Sequence, residues 1–135
     1  MVDFILDPQL KADSLPLAEL ELCTVRLMND THFPWLLMVP KYNGLEELID
    51  LARQDQHRLM DEMLMVSNAL QDATGCDKLN VAALGNMVRQ LHVHVVARFE
   101  GDAAWPGPIW GKVPMHPYEE AKANNLITTL QTALL

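Results

Sequence analysis

The sequence predicts an α+β protein, in which an antiparallel sheet of about four or five strands packs against one long helix and a C-terminal helix. Apolar residues recur with a helical period from 45 to 70 and again from 117 to 134. Shorter runs of aliphatic and β-branched residues predict strands at 21–28, 35–39, 79–84 and 91–99. Short connections join these strands in two pairs, which predicts two hairpins.

Length and composition indicate one globular domain over residues 1–135, with 103–135 as a C-terminal extension. A chain of 135 residues can bury a substantial core, and 50% of its residues are hydrophobic. No apolar run approaches the ~18 residues of a membrane span. Residues 1–4 lack the basic segment of a signal peptide. Two cysteines without CxxC spacing fit a reducing compartment. We therefore expect a cytoplasmic protein without a membrane partner.

The charge balance argues against nucleic acid as a partner. The 10 Lys and Arg residues against 18 Asp and Glu give a net charge of -8 at pH 7. Such a protein is repelled by the phosphates of nucleic acids and by anionic lipid surfaces. A small anionic substrate would need a local positive group. Lys41, Arg89 and Arg98 are the nearest in sequence to the candidate site at residues 90–98.

The helices are predicted from their end signals. Asp7-Pro8 suits the start of a short helix, which Pro16 prevents from continuing. The long helix is predicted to begin at Asn43, where Glu46 completes a capping box, and to end before Gly75. Its methionines favour core packing over an adaptable binding surface.

Beyond Asp102 the chain is predicted to be irregular, before a last helix from Pro117 to Leu134. Trp105 and Trp110 lie among prolines and glycines and need a surface to cover. They pack either on their own domain or on a partner. Because this segment and the last helix offer much apolar surface, we expect a twofold-symmetric homodimer.

One face of the predicted strand at 91–99 carries a row of polar side chains, which begins just before the strand. A strand directs alternate side chains to opposite faces, so the even-numbered residues share a face. The polar members of that face are Gln90, His92, His94 and Arg98. Polar groups in an apolar run are costly unless they meet a ligand or each other. One histidine would more often be structural, but this row predicts a functional site.

The two histidines leave the chemistry open between a nucleophile and a metal site. His-x-His on a strand supplies two ligands, whereas a zinc site needs three or four. Cys23, Cys76 and the other histidines are scattered in the sequence, so no third ligand occurs at a familiar spacing. We expect neither a metal nor another cofactor.

Several stretches resemble the histidine triad (HIT) family, in the family's order. Residues 85–96, Gly-Asn-Met-Val-Arg-Gln-Leu-His-Val-His-Val-Val, are similar to its signature, in which three histidines alternate with apolar residues. Residues 98–102, Arg-Phe-Glu-Gly-Asp, resemble the Arg-x-x-Gly-Asp of the fragile-histidine branch. Residues 27–40 resemble an Asn-containing strand followed by a Pro-Gly-His-x-Leu strand. The resemblance implies a HIT-like fold.

Three positions depart from the family pattern. Gln90 replaces the first triad histidine, Met87 replaces a phosphate-contacting Ser or Thr, and Trp35 replaces a histidine of the upstream strand. The middle histidine, which is the family's nucleophile, is kept as His92, and the last as His94. An amide cannot titrate near neutrality, so we expect Gln90 to orient a neighbour.

The resemblance also implies roles for individual residues. His92 would attack an α-phosphorus to form a nucleotidyl-histidine, with its other ring nitrogen held by a backbone carbonyl. His94 and the backbone near residues 86–88 would bind the phosphate oxygens. Asn29 would contact the ribose. The expected substrate-binding residues are Asn29, Asn86, Met87, Val88 and Arg98.

These expectations describe a hydrolase or transferase that cleaves a phosphoanhydride or phosphoramidate at the α-phosphate of a nucleotide. Residues 98–102 favour dinucleoside polyphosphates as substrates. Family members are commonly homodimers with C-terminal segments near the partner's site, so residues 105–110 are candidates for that position. The alternative is a non-catalytic nucleotide-binding or interaction protein, in which the departures mark lost chemistry.

Overall fold

A five-stranded antiparallel sheet forms the centre of the computed structural model, which describes residues 3–134. In chain order the strands are β1 Ser14–Glu19, β2 Cys23–Met28, β3 Trp35–Pro40, β4 Lys78–Ala82 and β5 Val93–Arg98. The helices are α1 Pro8–Asp13, α2 Arg53–Thr74 and α3 Glu120–Leu134. The predicted α+β class, with one long helix and a C-terminal helix, is confirmed. Met1, Val2 and Leu135 of the predicted domain lie outside the described residues.

The strand order is β1-β2-β3-β5-β4, so β5 is hydrogen-bonded on both sides. On one face, called the helical face, Val93, Val95 and Ala97 pack in a core cluster with buried residues of α2 and α3. On the other, called the loop face, Val96 packs with Trp35 and with residues that precede and follow the sheet. The alternation predicted for the 91–99 run is therefore confirmed.

The strand β1 was not predicted, because Pro16 was interpreted as the end of the preceding structure. β1 is an edge strand, paired only with β2. Proline has no N–H to donate, and an edge strand needs only half of its donors. The register shifts between Pro16 and Ala18, which marks an irregularity at the proline.

The predicted start of the long helix was wrong. α2 begins at Arg53, and residues 43–52 form an irregular segment with a short 3-10 helix at Leu48–Asp50. The Asn43 side chain bonds Asp3 O and Ile5 N instead of capping a helix. The carbonyl of Leu45 accepts a hydrogen bond from Leu91 N at 2.8 Å, so a long-range contact replaces a helical one at this position. The predicted end at Gly75 is confirmed, with φ 63°.

The second hairpin is confirmed, but its predicted tight connection at Gly85-Asn86 was wrong. β4 pairs antiparallel with β5, and residues 83–92 join them. His92 consequently lies at the end of this connection, immediately before β5, whereas His94 lies within the strand.

The residues after β5 cover both faces of the sheet. Ile109 is buried on the loop face, and the ring of Trp110 lies edge-on to Trp35 at 6.5 Å between centroids. Leu130 of α3 is buried on the helical face. Of the two alternatives for the tryptophans, the structure shows packing on their own chain. The last helix starts at Glu120 rather than at Pro117. Between residues 3 and 134, no helix is long and apolar enough to cross a membrane.

A buried ion pair fixes the turn that follows β5. The Arg98 guanidinium, 1% exposed, donates from Nε to Asp102 Oδ2 at 2.8 Å and from Nη2 to Asp102 Oδ1 at 3.0 Å. Its Nη1 donates to Asn80 Oδ1 at 2.7 Å. The guanidinium carbon lies 5.8 Å from the Phe33 ring centroid and 5.6 Å from that of Trp105. Hydrogen bonds from Arg98 lower the pKa of Asp102 to about 2.

We expect Asp102→Asn to lower the free energy of unfolding by about 3 kcal/mol, because it leaves a buried guanidinium without its counter-charge. In the wild type this stabilisation is present above the unfolded-state pKa of about 4. It is lost as the pH falls through about 2, the pKa of folded Asp102. Urea unfolding at pH 7 and at lower pH values down to pH 2 measures the free energy of unfolding of both proteins. Its decrease between pH 7 and pH 2 should be smaller in Asp102→Asn than in the wild type.

The exposed pair between Arg58 and Glu21 supplies a control. Glu21→Gln should cost less than about 1 kcal/mol, since solvent screens such a pair. Equal losses in the two variants would contradict the structural role of Asp102.

Candidate active site

Two buried imidazoles meet at the start of β5. His92 is 5% and His94 4% exposed, and their ring centroids lie 4.8 Å apart in a T-shaped arrangement. β5 holds His94 in place because it is bonded to β3 and β4. The predicted pairing of these two side chains on one face is thus present in the structure.

The protonation of His92 follows from its backbone contact. Its Nδ1 lies 2.6 Å from the Gln90 carbonyl oxygen. A carbonyl only accepts, so Nδ1 carries the proton and Nε2 keeps its lone pair in the neutral ring. His92 lines a pocket of about 280 Å³. The ring therefore combines a fixed tautomer with access to a pocket.

His94 is held between two tryptophans. The indole Nε1 of Trp35 donates to His94 Nδ1 at 2.9 Å, and the Trp110 ring lies 5.1 Å from the His94 ring. Its Nε2 lies 3.4 Å from the Leu84 carbonyl oxygen. Burial, with the neighbouring His92 as a second cause, lowers the pKa of His94 to about 4. His94 is therefore neutral at physiological pH.

The connection before His92 forms one wall of the pocket. A Cβ at Gly85 would lie 2.9 Å from the Val88 carbonyl oxygen, so this position has room only for glycine. Asn86 lines the pocket beside His92. The Met87 side chain is 96% exposed, and Val88 packs against the loop-face cluster. Asn86, Met87 and Val88 were all predicted to bind substrate. Of these, Asn86 lines the pocket with His92, and the other two do not.

Gln90 contributes to the site through its backbone and binds the N-terminal segment with its side chain. The amide Nε2 donates to Ile5 O at 2.9 Å, and Oε1 accepts from Asp7 N at 2.8 Å. Contrary to expectation, the Gln90 side-chain amide therefore does not orient His92; the contact to His92 comes from the Gln90 backbone carbonyl.

Arg98 and Asn29 are not brought to the pocket. Arg98 lies four residues beyond His94, or ~13 Å along an extended strand, and its guanidinium is committed to Asp102 and Asn80. The expectation that Arg98 contacts substrate therefore lacks structural support. Asn29 follows the end of β2, and its Oδ1 accepts from Tyr118 N at 2.9 Å. The strand register places it at the end of the sheet away from His92.

The sequence did not reveal the two tryptophans as neighbours of His94. Trp35 was noted only as a departure from a family pattern, and Trp110 only as an aromatic residue in need of a surface. The alternation of side chains in β3 was the signal that could have placed Trp35. Trp35 pairs with Val96 of β5 and therefore lies on the same face of the sheet. Nothing local indicates that Trp110 folds back onto this face.

The pocket offers both signs of charge and no metal cluster. Glu46, Glu47 and Arg89 line it with His92, and Arg89 Nη1 lies 3.4 Å from Glu46 Oε1. Across residues 3–134, no group of three or more His, Cys, Asp or Glu side chains is placed to hold a metal ion. The Nε2 lone pair of His92, which lines the pocket, suits nucleophilic chemistry by a histidine.

Comparisons with known proteins agree with this geometry. Among solved structures, histidine triad proteins from Sinorhizobium meliloti and Bradyrhizobium japonicum are similar to this chain. The first is 44% identical, with a TM-score of 0.95 and coverage of 97% of each chain. The second is 42% identical, with a TM-score of 0.97, and the match covers 99% of this chain and 100% of that chain.

A histidine triad protein from Marinobacter aquaeolei is 45% identical, with a TM-score of 0.95, and the match covers 98% of this chain and 97% of that chain. A comparison with curated proteins found no match. The family model described as HIT domain matches residues 9–101, which include His92, His94 and all five strands. The chain therefore belongs to the histidine triad family.

Proposed function

We propose that the protein is a nucleotide hydrolase or transferase that works through a nucleotidyl-histidine on His92. The observation that carries this proposal is the contact between His92 Nδ1 and the Gln90 carbonyl at 2.6 Å, in a ring that lines a pocket. A neutral imidazole with one nitrogen held protonated presents its other nitrogen as a nucleophile.

The proposed reaction has two displacements at the α-phosphorus of a nucleotide. In the first, the Nε2 lone pair of His92 forms a P–N bond, and the leaving group departs with the electron pair of its bond to phosphorus. In the second, water attacks the same phosphorus, the electron pair of the P–N bond returns to Nε2, and a proton of the water passes to solvent. The nucleoside monophosphate is released, and His92 returns to its neutral form. In such reactions the protein mainly aligns the groups and stabilises charge.

Neutral donors near His92 suit the phosphate oxygens. The backbone N–H groups of Asn86, Met87 and Val88 donate no hydrogen bond to a residue within the described range. These groups lie in the segment that includes Gly85, directly before the nucleophile. Backbone N–H groups and a neutral imidazole N–H stabilise an oxyanion without a counter-charge.

Dinucleoside polyphosphates and related nucleotides are the substrates we propose. Residues 98–102 give this choice little support, since Arg98 and Asp102 bind each other. The support comes instead from His94, whose Nδ1 accepts a hydrogen bond from Trp35. The alternative is a non-catalytic nucleotide-binding protein, and it is favoured by the exposed Met87 where a phosphate-contacting hydroxyl would stand.

His92→Asn should lower kcat by at least about a hundredfold, because asparagine cannot form the covalent intermediate. Nucleotide binding should be kept, because the neighbouring donors remain. The measurement is release of AMP from a panel of adenosine nucleotides, together with mass spectrometry after brief exposure to an activated AMP donor. His57→Asn, on the exposed part of α2, is the matched control. Undiminished turnover by the His92 variant would exclude this mechanism.

Gln90→His should change kcat/KM by less than about tenfold and add no new ionisation, because the Gln90 side chain contacts Ile5 and Asp7 rather than His92. The measurement is kcat/KM against pH for the wild type and the variant. Gln90→Ala is the control, since it removes the same two bonds without adding a titratable group. A hundredfold gain in the histidine variant would show proton transfer at this position.

We also propose a homodimer, though through a surface other than the one the sequence indicated. The tryptophans of residues 105–110 pack on their own chain, whereas apolar side chains of α2 and the segment before it are exposed. The exposed members are Leu48, Ile49, Met60, Leu64 and Met65. Burial of such a patch against a second copy removes apolar surface from water.

Light scattering should therefore give about twice the monomer mass at micromolar concentration. Leu64→Glu should shift the population toward monomer, because it places a charge in the patch. Met115→Glu alters an exposed apolar residue elsewhere and should leave the mass unchanged. A wild type that runs as a 15.2 kDa monomer would refute the dimer.

A further inference from the structure

We infer that Trp35 is a positioning residue, whose indole N–H fixes His94 as a neutral hydrogen-bond donor that cannot pass a proton to the leaving group. The inference rests on the proposed function and specifies its substrate class. It implies substrates whose leaving group departs from phosphorus without being protonated by the protein.

The geometry of one hydrogen bond sets the tautomer. An indole N–H only donates, so His94 Nδ1, 2.9 Å from Trp35 Nε1, must accept and carry no proton. The proton of neutral His94 is therefore on Nε2. That nitrogen is 3.4 Å from the Leu84 carbonyl oxygen, which is longer than a well-formed hydrogen bond. The Nε2–H group is therefore held only weakly by its backbone partner.

The surroundings of His94 also favour its neutral form. His92, from the connection before β5, is the titratable group in ring contact with it, and Trp110 adds an uncharged ring. Arg26 of β2 occupies the same row of the sheet, beyond Leu37 of β3. The Arg26 guanidinium is bound to Ser14 Oγ and Ser14 O. Burial and His92 lower the pKa of His94 to about 4.

A neutral imidazole with an occupied Nδ1 cannot act as an acid. Loss of the Nε2 proton would create an imidazolate unless Nδ1 gained a proton at the same moment, and the indole N–H occupies Nδ1. Gln90, on the other side of His92 in the signature, cannot titrate and binds residues 5–7. The pocket carboxylates are Glu46, which is paired with Arg89, and the solvent-exposed Glu47.

With no proton from His94 or Gln90, the leaving group departs with its electron pair and collects any proton from water. Phosphate-type leaving groups, which are stable as anions, satisfy this condition. The nitrogen of an alkyl phosphoramidate does not, because an amide anion is a very poor leaving group at neutral pH. General acid assistance contributes about 10²–10⁴-fold where it exists. The structure thus favours phosphoanhydrides over alkyl phosphoramidates.

The first test needs no substrate. Nitrogen NMR of the histidine-labelled protein distinguishes the two neutral tautomers and the protonated ring. We expect wild-type His94 to stay in the Nε2–H form from pH 5 to pH 8. Trp35→Phe should release Nδ1 and shift the tautomer population by about tenfold, whereas Trp110→Phe, which removes a neighbouring indole that makes no bond to the ring nitrogens, should not. An Nδ1–H tautomer or a protonated ring in the wild type at pH 7 overturns the inference, even if the Trp35 variant does not fold.

The second test is a leaving-group series on AMP: a pyrophosphate-linked leaving group, a 4-nitrophenyl ester, a phenyl ester and an alkyl phosphoramidate. We expect kcat/KM to fall by at least about a hundredfold from the first to the last. Trp35→His provides a titratable neighbour that can exchange a proton with His94. In this variant the ratio of kcat/KM between the first and the last substrate should be about tenfold smaller. Equal rates across the series would overturn the inference.

The two tests separate this inference from the proposed function. If the tautomer is fixed as expected but no nucleotide is turned over, the role of Trp35 in holding His94 stands and the enzymatic function fails. If nucleotides are turned over but Trp35→Phe leaves the His94 tautomer and the leaving-group series unchanged, the function stands and the inference about Trp35 fails.

Discussion

The position of β5 between β3 and β4 determines the rest of this structure. Backbone bonds on both sides fix its pleat, so alternate side chains have no freedom to exchange faces. Val93, Val95 and Ala97 supply the core under the helices, while His94 and Arg98 are directed to the loop face. The same alternation separates two polar roles along one strand. His94 contacts His92, which lines the pocket, and Arg98, two residues beyond Val96 on the same face, binds Asp102 in the turn that follows.

The features that the sequence predicted depend on local periodicity. The alternation around residues 91–98, the helical period of α2 and the glycine at position 75 each follow from the geometry of a short segment. The two histidines on one face were predictable for the same reason. The features that were missed depend on partners distant in the chain. Asn43 was expected to cap a helix, but its side chain binds residues 3 and 5, and no local pattern signals that contact.

Arg98 illustrates how a functional interpretation can fail when it depends on residue type alone. A guanidinium in a net-negative protein is a natural candidate for phosphate binding, and it shares a face with the histidines. Its neighbours decide otherwise: Asp102 and Asn80 accept three hydrogen bonds from the guanidinium, and its carbon lies near the rings of Phe33 and Trp105. This buried guanidinium stabilises the fold, since withdrawal of Asp102 would leave an uncompensated charge.

In a protein of net charge -8, the proposed phosphate site next to His92 depends on neutral donors, with Arg89 as the cation that lines the pocket. Backbone N–H groups of residues 86–88 and the Nε2–H of His94 carry fixed dipoles that need no counter-ion. Such donors work well only where burial strengthens them and where their direction is fixed. Gly85 permits the close approach of the connection to His92, and Trp35 fixes the direction of the His94 dipole. The replacement of a histidine by tryptophan at position 35 thus fits a site in which His92 is the one reactive imidazole and its neighbour a permanent donor.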